Sequence, residues 1–471
     1  MRKWCNCILI IGSFLILQGC FVSKPYKNPD LGELDIYRDF NQQDTSTIAN
    51  IPWQQLFPDS LLRALIQEGL DSSLILDTAY ENLEIAKSKY LQGRAQFLPT
   101  IDALANVNSA KLSNNSIAGK QFQSTESGDT RRNQYELLGS LSWETDIWGR
   151  IRSLSEAQKA NLLKNEAAYR AVQTRIIAMI ASNYYRLLAL DAQLELAKNT
   201  VQTREKSLNT IQKLQRSGIE SALAVKQQEA QIYTARILEV DLQQQITITE
   251  DSLSVLIGRS VGEISRGNLI DQNIEVEPEI GIPSQLLRNR PDVLAAEYNL
   301  TKSFYLTNEA KANFYPRLVL SAEAGYQSLD FSNWLNSASF YNMIMAGITA
   351  PIFRQREIRT NYEVAQANQR KALANYEQRL LNAGREVTDA LRTYEATKEK
   401  LSLREEQVKT LTTAEEYSYK LLLNGYANYL EVLRATDEKL TAEMKMIDTQ
   451  YLHLNSLVSL YRALGGGWKE G

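Results

Sequence analysis

The chain has 471 residues, 44% of them hydrophobic, with 52 basic and 55 acidic side chains and a formal charge of −3. That length suits two or three ordinary domains, and the small net charge, with no basic stripe interleaved with aromatics, argues against nucleic acid as a partner. One histidine, His453, and three cysteines confined to Cys5, Cys7 and Cys20 give no basis for a histidine metal site, a thiol site or a catalytic triad, and no P-loop is present.

Arg2 and Lys3 form a positive n-region, and Cys5 to Leu17 is an apolar stretch too short for a comfortable membrane span. It closes on Leu17-Gln-Gly-Cys20, which resembles the bacterial lipobox. That resemblance implies a lipoprotein signal peptide over residues 1–19 and acylation of Cys20. An ordinary signal peptide with an incidental cysteine is the alternative. Phe21 stands where an Asp would resemble an inner-membrane retention signal, which favours the outer membrane. Residues 20–57, with Pro25, Pro29 and Pro52, read as a lipidated tether along the surface.

Residues 58–261 form a first unit. A helix runs from Asp59 to Phe97, with Leu62, Leu65 and Ile66 and then Leu76, Ala79, Leu83 and Ala86 on one stripe, interrupted near Gly69-Leu-Asp-Ser-Ser. Pro99 ends it. A β-hairpin over 99–147 follows. Ile101, Ala103, Ala105 and Val107 alternate with polar neighbours, Lys111 to Arg132 is a polar loop, and Tyr135 to Ile147 returns. In the return strand Leu141, Trp143, Thr145 and Ile147 point one way, and Ser140, Ser142, Glu144 and Asp146 the other. The period then changes. From Ile151 to Arg216 there is neither proline nor glycine, enough for a helix of about 100 Å at 1.5 Å per residue. Leu187, Leu194, Val201 and Leu208 lie seven apart, with Leu190, Ala197 and Ile211 at the companion position. Gly218 marks the turn of an antiparallel helical hairpin over 150–257. Its second arm carries Leu242, Thr249 and Leu256 with Ile246 and Leu253.

Residues 262–283 lack periodicity and form a connector. Residues 284–471 repeat the plan: a helix opening near Pro291-Asp292, a β-hairpin over 316–352 and a helical hairpin over 355–464 that turns at Gly425. Ala-Asn-Phe-Tyr-Pro316 repeats Ala-Gln-Phe-Leu-Pro99, and Gly347 to Arg354 aligns with Trp143 to Arg150. The interval from Gly218 to Gly258 equals that from Gly425 to Gly465. In the second hairpin Leu318, Leu320, Ala322 and Ala324 share a face, its loop spans 328–341, and Ile344, Ala346, Ile348 and Ala350 return. Tyr394, Leu401 and Val408 repeat the heptads, and His453 falls at a core or seam position.

Strands of about ten residues match a tilted bilayer crossing. Leu141, Trp143 and Ile348 would then face lipid. Four strands cannot close a barrel, and open edges are not tolerated in lipid, so transmembrane strands require several copies, three of which give twelve strands. A soluble four-stranded sheet is the alternative. The fold expected is mainly α with a transmembrane β-barrel, a duplicated unit of β-hairpin plus long antiparallel coiled-coil helices.

The motifs Leu17-Gln-Gly-Cys20, Ser142-Trp-Glu-Thr-Asp-Ile-Trp-Gly-Arg150 and Leu287-Arg-Asn-Arg-Pro-Asp-Val293, two Phe-x-Pro strand starts and two tip glycines resemble the TolC-type outer-membrane efflux proteins. The match is to the lipoprotein branch that serves resistance-nodulation-division (RND) pumps. The resemblance implies a homotrimer with a twelve-stranded barrel in the outer membrane and an α-helical tunnel in the periplasm. It implies a periplasmic adaptor at the helical tips (Gly218, Ile219, Gly425, Tyr426) and an inner-membrane RND pump behind it. It implies no enzyme activity and no cofactor beyond the lipid on Cys20. The family's acidic gate ring would fall on Glu431, six residues after the second tip glycine, but the next acid of that pattern is Arg434 here, and the matching place after the first tip is Ala224. A periplasm-spanning coiled-coil lipoprotein without conductance, and a lipid-anchored enzyme or binding protein, are the alternatives.

Overall fold

The computed structural model describes residues 24–29, 47–125, 131–272, 280 and 289–468. Cys20, the signal peptide and Leu287-Arg288 of the Arg-Pro-Asp motif lie outside the described residues. In chain order the α-helices are α1 (Trp53–Leu56), α2 (Ser60–Ser72), α3 (Leu74–Ala95), α4 (Ile117–Thr125), α5 (Arg150–Arg216), α6 (Ala222–Leu256), α7 (Pro291–Ala312), α8 (Glu357–Leu423) and α9 (Tyr429–Ala463). The strands are β1 (Thr100–Lys111), β2 (Arg131–Thr145), β3 (Arg317–Ser328) and β4 (Phe340–Thr349).

Several boundaries differ from the sequence reading. The first helix breaks at Ser73, whose N–H closes α2 on Gly69 O. The polar loop after β1 contains α4, because Ser116 accepts from the Gly119 N–H and starts a helical turn. Ile147 lies beyond β2, which ends at Thr145. The long helices α5 and α8 have 67 residues each, and α6 and α9 have 35 each. They start at Arg150 and Glu357, so the residue opposite Gly149 in the repeat is Arg356. The alignment of Gly347–Arg354 with Trp143–Arg150 would have put Phe353 there. Gly149 and Arg356 share a left-handed backbone, φ +74° and +66°.

The chain forms two compact units. One holds Met1–Pro29, Ile85–Leu162 and Tyr298–Ala374; the other holds Asp30–Glu84, Leu163–Glu297 and Asn375–Gly471. In the first, the strands make one antiparallel sheet in the order β1-β2-β3-β4, leaving β1 and β4 as edges. Ile101 faces Leu141, Leu141 faces Ala322, and Ala322 faces Ile344. Directly opposed residues share a face. Ile101, Leu141, Ala322 and Ile344 therefore fall on one side, with Leu137 and Leu320. Thr100, Ser142 and Ser321, and likewise Ser140 and Glu323, fall on the other.

The Trp-Glu motif holds this sheet to its helices. Trp143 Nε1 donates to Phe97 O (2.9 Å) and Trp148 Nε1 to Pro316 O (2.6 Å), so one motif grips both Phe-x-Pro strand starts. Trp148 also stacks on Tyr315 at 5.0 Å. Asp146 caps α5 by accepting from the N–H groups of Ile151 and Arg152, both at 2.8 Å. Arg150 donates twice to Glu144, at 2.8 and 2.9 Å.

The second unit is a helical assembly around Ile176, Ile177, Ile180, Tyr184, Tyr185 and Leu188 of α5, with Leu62 and Ile66 of α2 and Leu460 and Tyr461 of α9 also buried. Arg290 ties the N-terminal end of α7 to α8 and α9.

Candidate functional site

Two surfaces carry the geometry of a conduit. The first is the sheet. On its apolar face Tyr135, Leu137, Gly139, Leu141 and Trp143 succeed one another along β2. Trp143 stands near the helix end, and Tyr135 packs with Phe331 (5.5 Å) and Trp334 (5.8 Å) near the hairpin end, where Tyr326 meets Phe340 (5.9 Å). Eight residues separate Trp143 from Tyr135, about 27 Å along the strand. Two aromatic belts flanking an apolar band of roughly 25 Å are the pattern of a tilted transmembrane strand. The opposite face is mixed, with Leu104, Leu138 and Met345 among polar residues that bond to one another. Glu136 accepts from Gln134 (2.5 Å) and Gln327 (2.7 Å), and the Tyr341 hydroxyl donates to Glu323 (2.5 Å). Leu141 and Trp143 share this face of the sheet, and Ile348 is on the same face but beyond the level of Trp143, since it pairs with Leu318.

The second surface is the pair of helical turns. Gly218 and Gly425 have φ +80° and +74°, a conformation that costs an L side chain strain even though nothing crowds either site. Each ends its helix in a Schellman motif. Ile219 N–H reaches Leu214 O (2.9 Å) and Tyr426 N–H reaches Leu421 O (2.9 Å). Ser221 and Asn428 then cap α6 and α9. Behind the turns Ile211, Ala224, Val225, Leu422, Tyr429 and Val432 form one buried cluster, so the two hairpins pack on each other at their ends. Ile219 and Tyr426 point away from that cluster, 63% and 83% exposed.

Glu431 and its repeat counterpart Ala224 part company here. Ala224 is buried in the cluster, whereas Glu431 is exposed in the first turn of α9. Arg434 is bound to Glu438 (2.8 Å), one turn on, and not to Glu431. Glu431 makes no ion pair among the described residues.

A buried polar network near the turns escaped the sequence reading. Arg204 donates to Gln231 O (2.7 Å) and to Asp437 Oδ1 (2.6 Å), joining α5 to α6 and α9. Gln228 donates to Arg204 O (2.7 Å) and accepts from the Tyr429 hydroxyl. Burial pushes the Tyr429 hydroxyl up to about 12 and raises the Asp437 carboxyl, which Arg204 partly offsets. The signal was present. Position 204 is the one member missing from the companion series Leu190, Ala197 and Ile211, and a charged residue there must find partners inside. His453, the single histidine, stacks on Tyr394 (4.7 Å) and its Nδ1 meets the Thr397 hydroxyl (3.1 Å); burial, then Lys398, lowers its pKa.

Amphipathic strands with aromatic belts, joined to helices too polar to cross a bilayer, define a subunit of a membrane channel rather than a soluble sheet. The sequence pattern of outer membrane efflux proteins matches residues 65–259 and 282–466, and the chain belongs to that family. It is 29% identical over 466 residues to the solvent efflux pump outer membrane protein SrpC of Pseudomonas putida, covering 97% of both chains. It is 26% identical over 464 residues to the cation efflux system protein CusC of Escherichia coli O6:H1, again covering 97% of both. The solved outer-membrane channel OprN superposes with a TM-score of 0.86 at 25% identity, over 95% of this chain and 100% of that one. The protein is an outer-membrane efflux channel.

Proposed function

We propose that three copies of the chain form the exit duct of a tripartite RND-type efflux system. The observation that carries this reading is the sheet: its apolar face calls for lipid, while β1 and β4 are left as edges. Pairing β4 of one copy with β1 of the next removes every edge, and twelve strands close around a lumen. The long helices then line a periplasmic tunnel. Exposed Ile219 and Tyr426 at the turns meet a periplasmic adaptor, which joins the duct to an inner-membrane pump. Cargo passes without chemical change. Solvent efflux and cation efflux are both named among relatives of similar identity, which supports a duct whose cargo is chosen by the pump.

Mass measurement of the detergent-solubilised protein is expected to give a trimer, and that trimer to conduct in planar bilayers. A conducting monomer would contradict edge closure. A trimer that never conducts would favour the coiled-coil spacer.

Lipid attachment at Cys20 is part of the same proposal. Lys24 O accepts from Asn308 Nδ2 (3.0 Å), and Tyr26 packs edge-on against Phe304 (5.5 Å), so Lys24 and Tyr26 are held on α7, the helix that leads into β3. Four residues reach about 14 Å when extended. Acyl chains on Cys20 would enter the membrane beside the sheet. Mass spectrometry of the mature N-terminus is expected to show an acylated Cys20, and an unmodified N-terminus elsewhere would remove the anchor. Cys20→Ala is expected to weaken anchoring while leaving insertion intact, because the strands supply a second attachment.

The gate is read at Glu431. Three symmetry copies of this exposed carboxylate near the turns attract cations in a confined, poorly screened space. Because Arg434 is engaged with Glu438, it does not neutralise Glu431 within the chain. Glu431→Gln is expected to lower cation preference and block by multivalent cations added from the periplasmic side. Single-channel recording under a salt gradient decides: an unchanged reversal potential and unchanged block would take Glu431 out of the gate.

A further inference from the structure

Beside the buried Arg290 the helical unit has a cleft of about 260 Å³. Four guanidinium groups line it: Arg290, Arg175 of α5, Arg379 of α8 and Arg462 in the last turn of α9. Only two carboxylates face them, Asp292 and Glu386, and both are already taken. Asp292 meets Arg290 at 2.7 Å and Arg379 at 3.6 Å, and Glu386 meets Arg290 at 2.9 Å. Arg175 and Arg462 are exposed, and among the described residues neither side chain makes an ion pair or a hydrogen bond. The lining therefore carries two positive charges with no acid to balance them.

A second observation lies next to Arg175. Thr174 also lines the cleft and is 6% exposed, yet its hydroxyl has no hydrogen-bond partner among the described residues. Further along α5, Thr200, Thr203 and Thr210 each donate to the carbonyl four residues back. Thr174 does not, and a buried hydroxyl left without a partner costs about 1–3 kcal/mol.

We propose that this cleft binds a small divalent oxyanion of the phosphate class, held by Arg175 and Arg462 and flanked by Arg379, with the Thr174 hydroxyl as a further donor at its floor. A guanidinium presents a planar fork of N–H groups that matches the oxygens of a phosphate and makes charge-assisted hydrogen bonds with them. A dianion also matches the unbalanced charge. The volume falls below the about 300–1,000 Å³ of sites that enclose a drug-sized molecule, which fits an inorganic ion and its water rather than transported cargo. Because the three arginines stand on α5, α8 and α9, the anion would bridge three helices. An ion that binds only the folded arrangement stabilises it.

The test uses the full-length protein in detergent, titrated with radiolabelled inorganic phosphate by equilibrium dialysis, with chloride holding the ionic strength constant. Wild type is expected to bind phosphate saturably, and R175Q/R462Q about tenfold more weakly, a loss equivalent to about 1.4 kcal/mol. T174V, which keeps the shape and removes the hydroxyl, is expected to lose about threefold. Phosphate is also expected to raise the melting temperature of wild type more than that of the double variant. Equal affinity in wild type and R175Q/R462Q overturns the proposal. So does an absence of saturable binding to wild type; if R175Q/R462Q then also splits the oligomer, the cleft belongs to an acid of a neighbouring copy. The melting curve without phosphate checks that the double variant is folded. Should it not fold, R175Q alone carries the comparison, with about a threefold loss expected and an unchanged affinity counting against the site.

Discussion

Leu141→Arg is expected to reduce sharply the amount of channel in the outer membrane, while Ser142→Arg, one residue on, is expected to leave most of it in place. Leu141 lies between Ile101 and Ala322 on the apolar face, two residues inward from Trp143. A guanidinium there would enter the hydrocarbon and cost roughly 2 kcal/mol per chain, the low end of the about 2–4 seen at the midplane. In the proposed trimer that cost recurs in each of the three copies. Ser142 lies between Thr100 and Ser321 on the opposite face, where an arginine stays in water. The register also grades a third variant. Ile348 pairs with Leu318, beyond the level of Trp143, so Ile348→Arg sits at the boundary and costs about 0–1 kcal/mol. Heat-resistant oligomer in outer-membrane fractions, measured for the three variants, is expected to rank Leu141→Arg far below Ile348→Arg and Ser142→Arg. Equal levels would mean that the apolar face does not meet lipid.

Arg290→Met is expected to destabilise the helical unit by about 3–5 kcal/mol, the usual consequence of removing one partner from a buried ion cluster. Arg290 is 4% exposed. It donates to both oxygens of Asp292 (3.0 and 2.7 Å), to Glu386 (2.9 Å) and to the Ala463 carbonyl (3.0 Å), so it joins the start of α7 to α8 and to the last turn of α9. Its loss leaves Asp292 and Glu386 partly buried without their main counter-charge. Asp292→Asn is expected to cost less, because Arg290 keeps Glu386 and the carbonyl. The cluster also sets a pH dependence. Burial alone would raise the Asp292 carboxyl, but Arg290 and then Arg379 outweigh it and hold it below the ordinary range. With the folded value below the unfolded one, near 3.9, this stabilisation is complete above about pH 4 and disappears as pH falls through the depressed folded value. Circular-dichroism melts in detergent are expected to show wild type losing more stability than Asp292→Asn on acidification below pH 4. Parallel curves would assign the acid sensitivity to other carboxylates.

Much of this architecture was legible in the chain because its signals are local. Period-two alternation from Ile101 to Val107 and from Leu141 to Thr145 sorts side chains onto faces whatever strand lies alongside. The run after Gly149, free of glycine and proline, favours a long helix, and Gly218 and Gly425 end the long helices because a left-handed residue is needed at each turn. Where a local signal was weak the boundaries moved. Polar Lys111 to Arg132 hides α4, and the repeat alignment slips because Arg356 takes a backbone conformation usually left to glycine, as at Gly149.

Other features depend on residues far apart in the chain. The pairing of β2 with β3 brings Thr145 to Leu318, and alternation cannot choose a strand's partner. Each long helix announces an apolar stripe but not what covers it. Packing the two hairpins together buries Ala224 and leaves Glu431, its counterpart in the repeat, exposed. The same packing carries Arg204 inside, where Asp437, 233 residues away, meets its charge. Sequence by itself determined the periods, the stops and the polarity of each face, since these follow from the dihedrals and side chains of neighbouring residues. Only the tertiary structure decided which equivalent positions are buried and which buried charges are paired, because desolvation and Coulomb attraction act through space between elements that the repeat makes alike and the packing makes different.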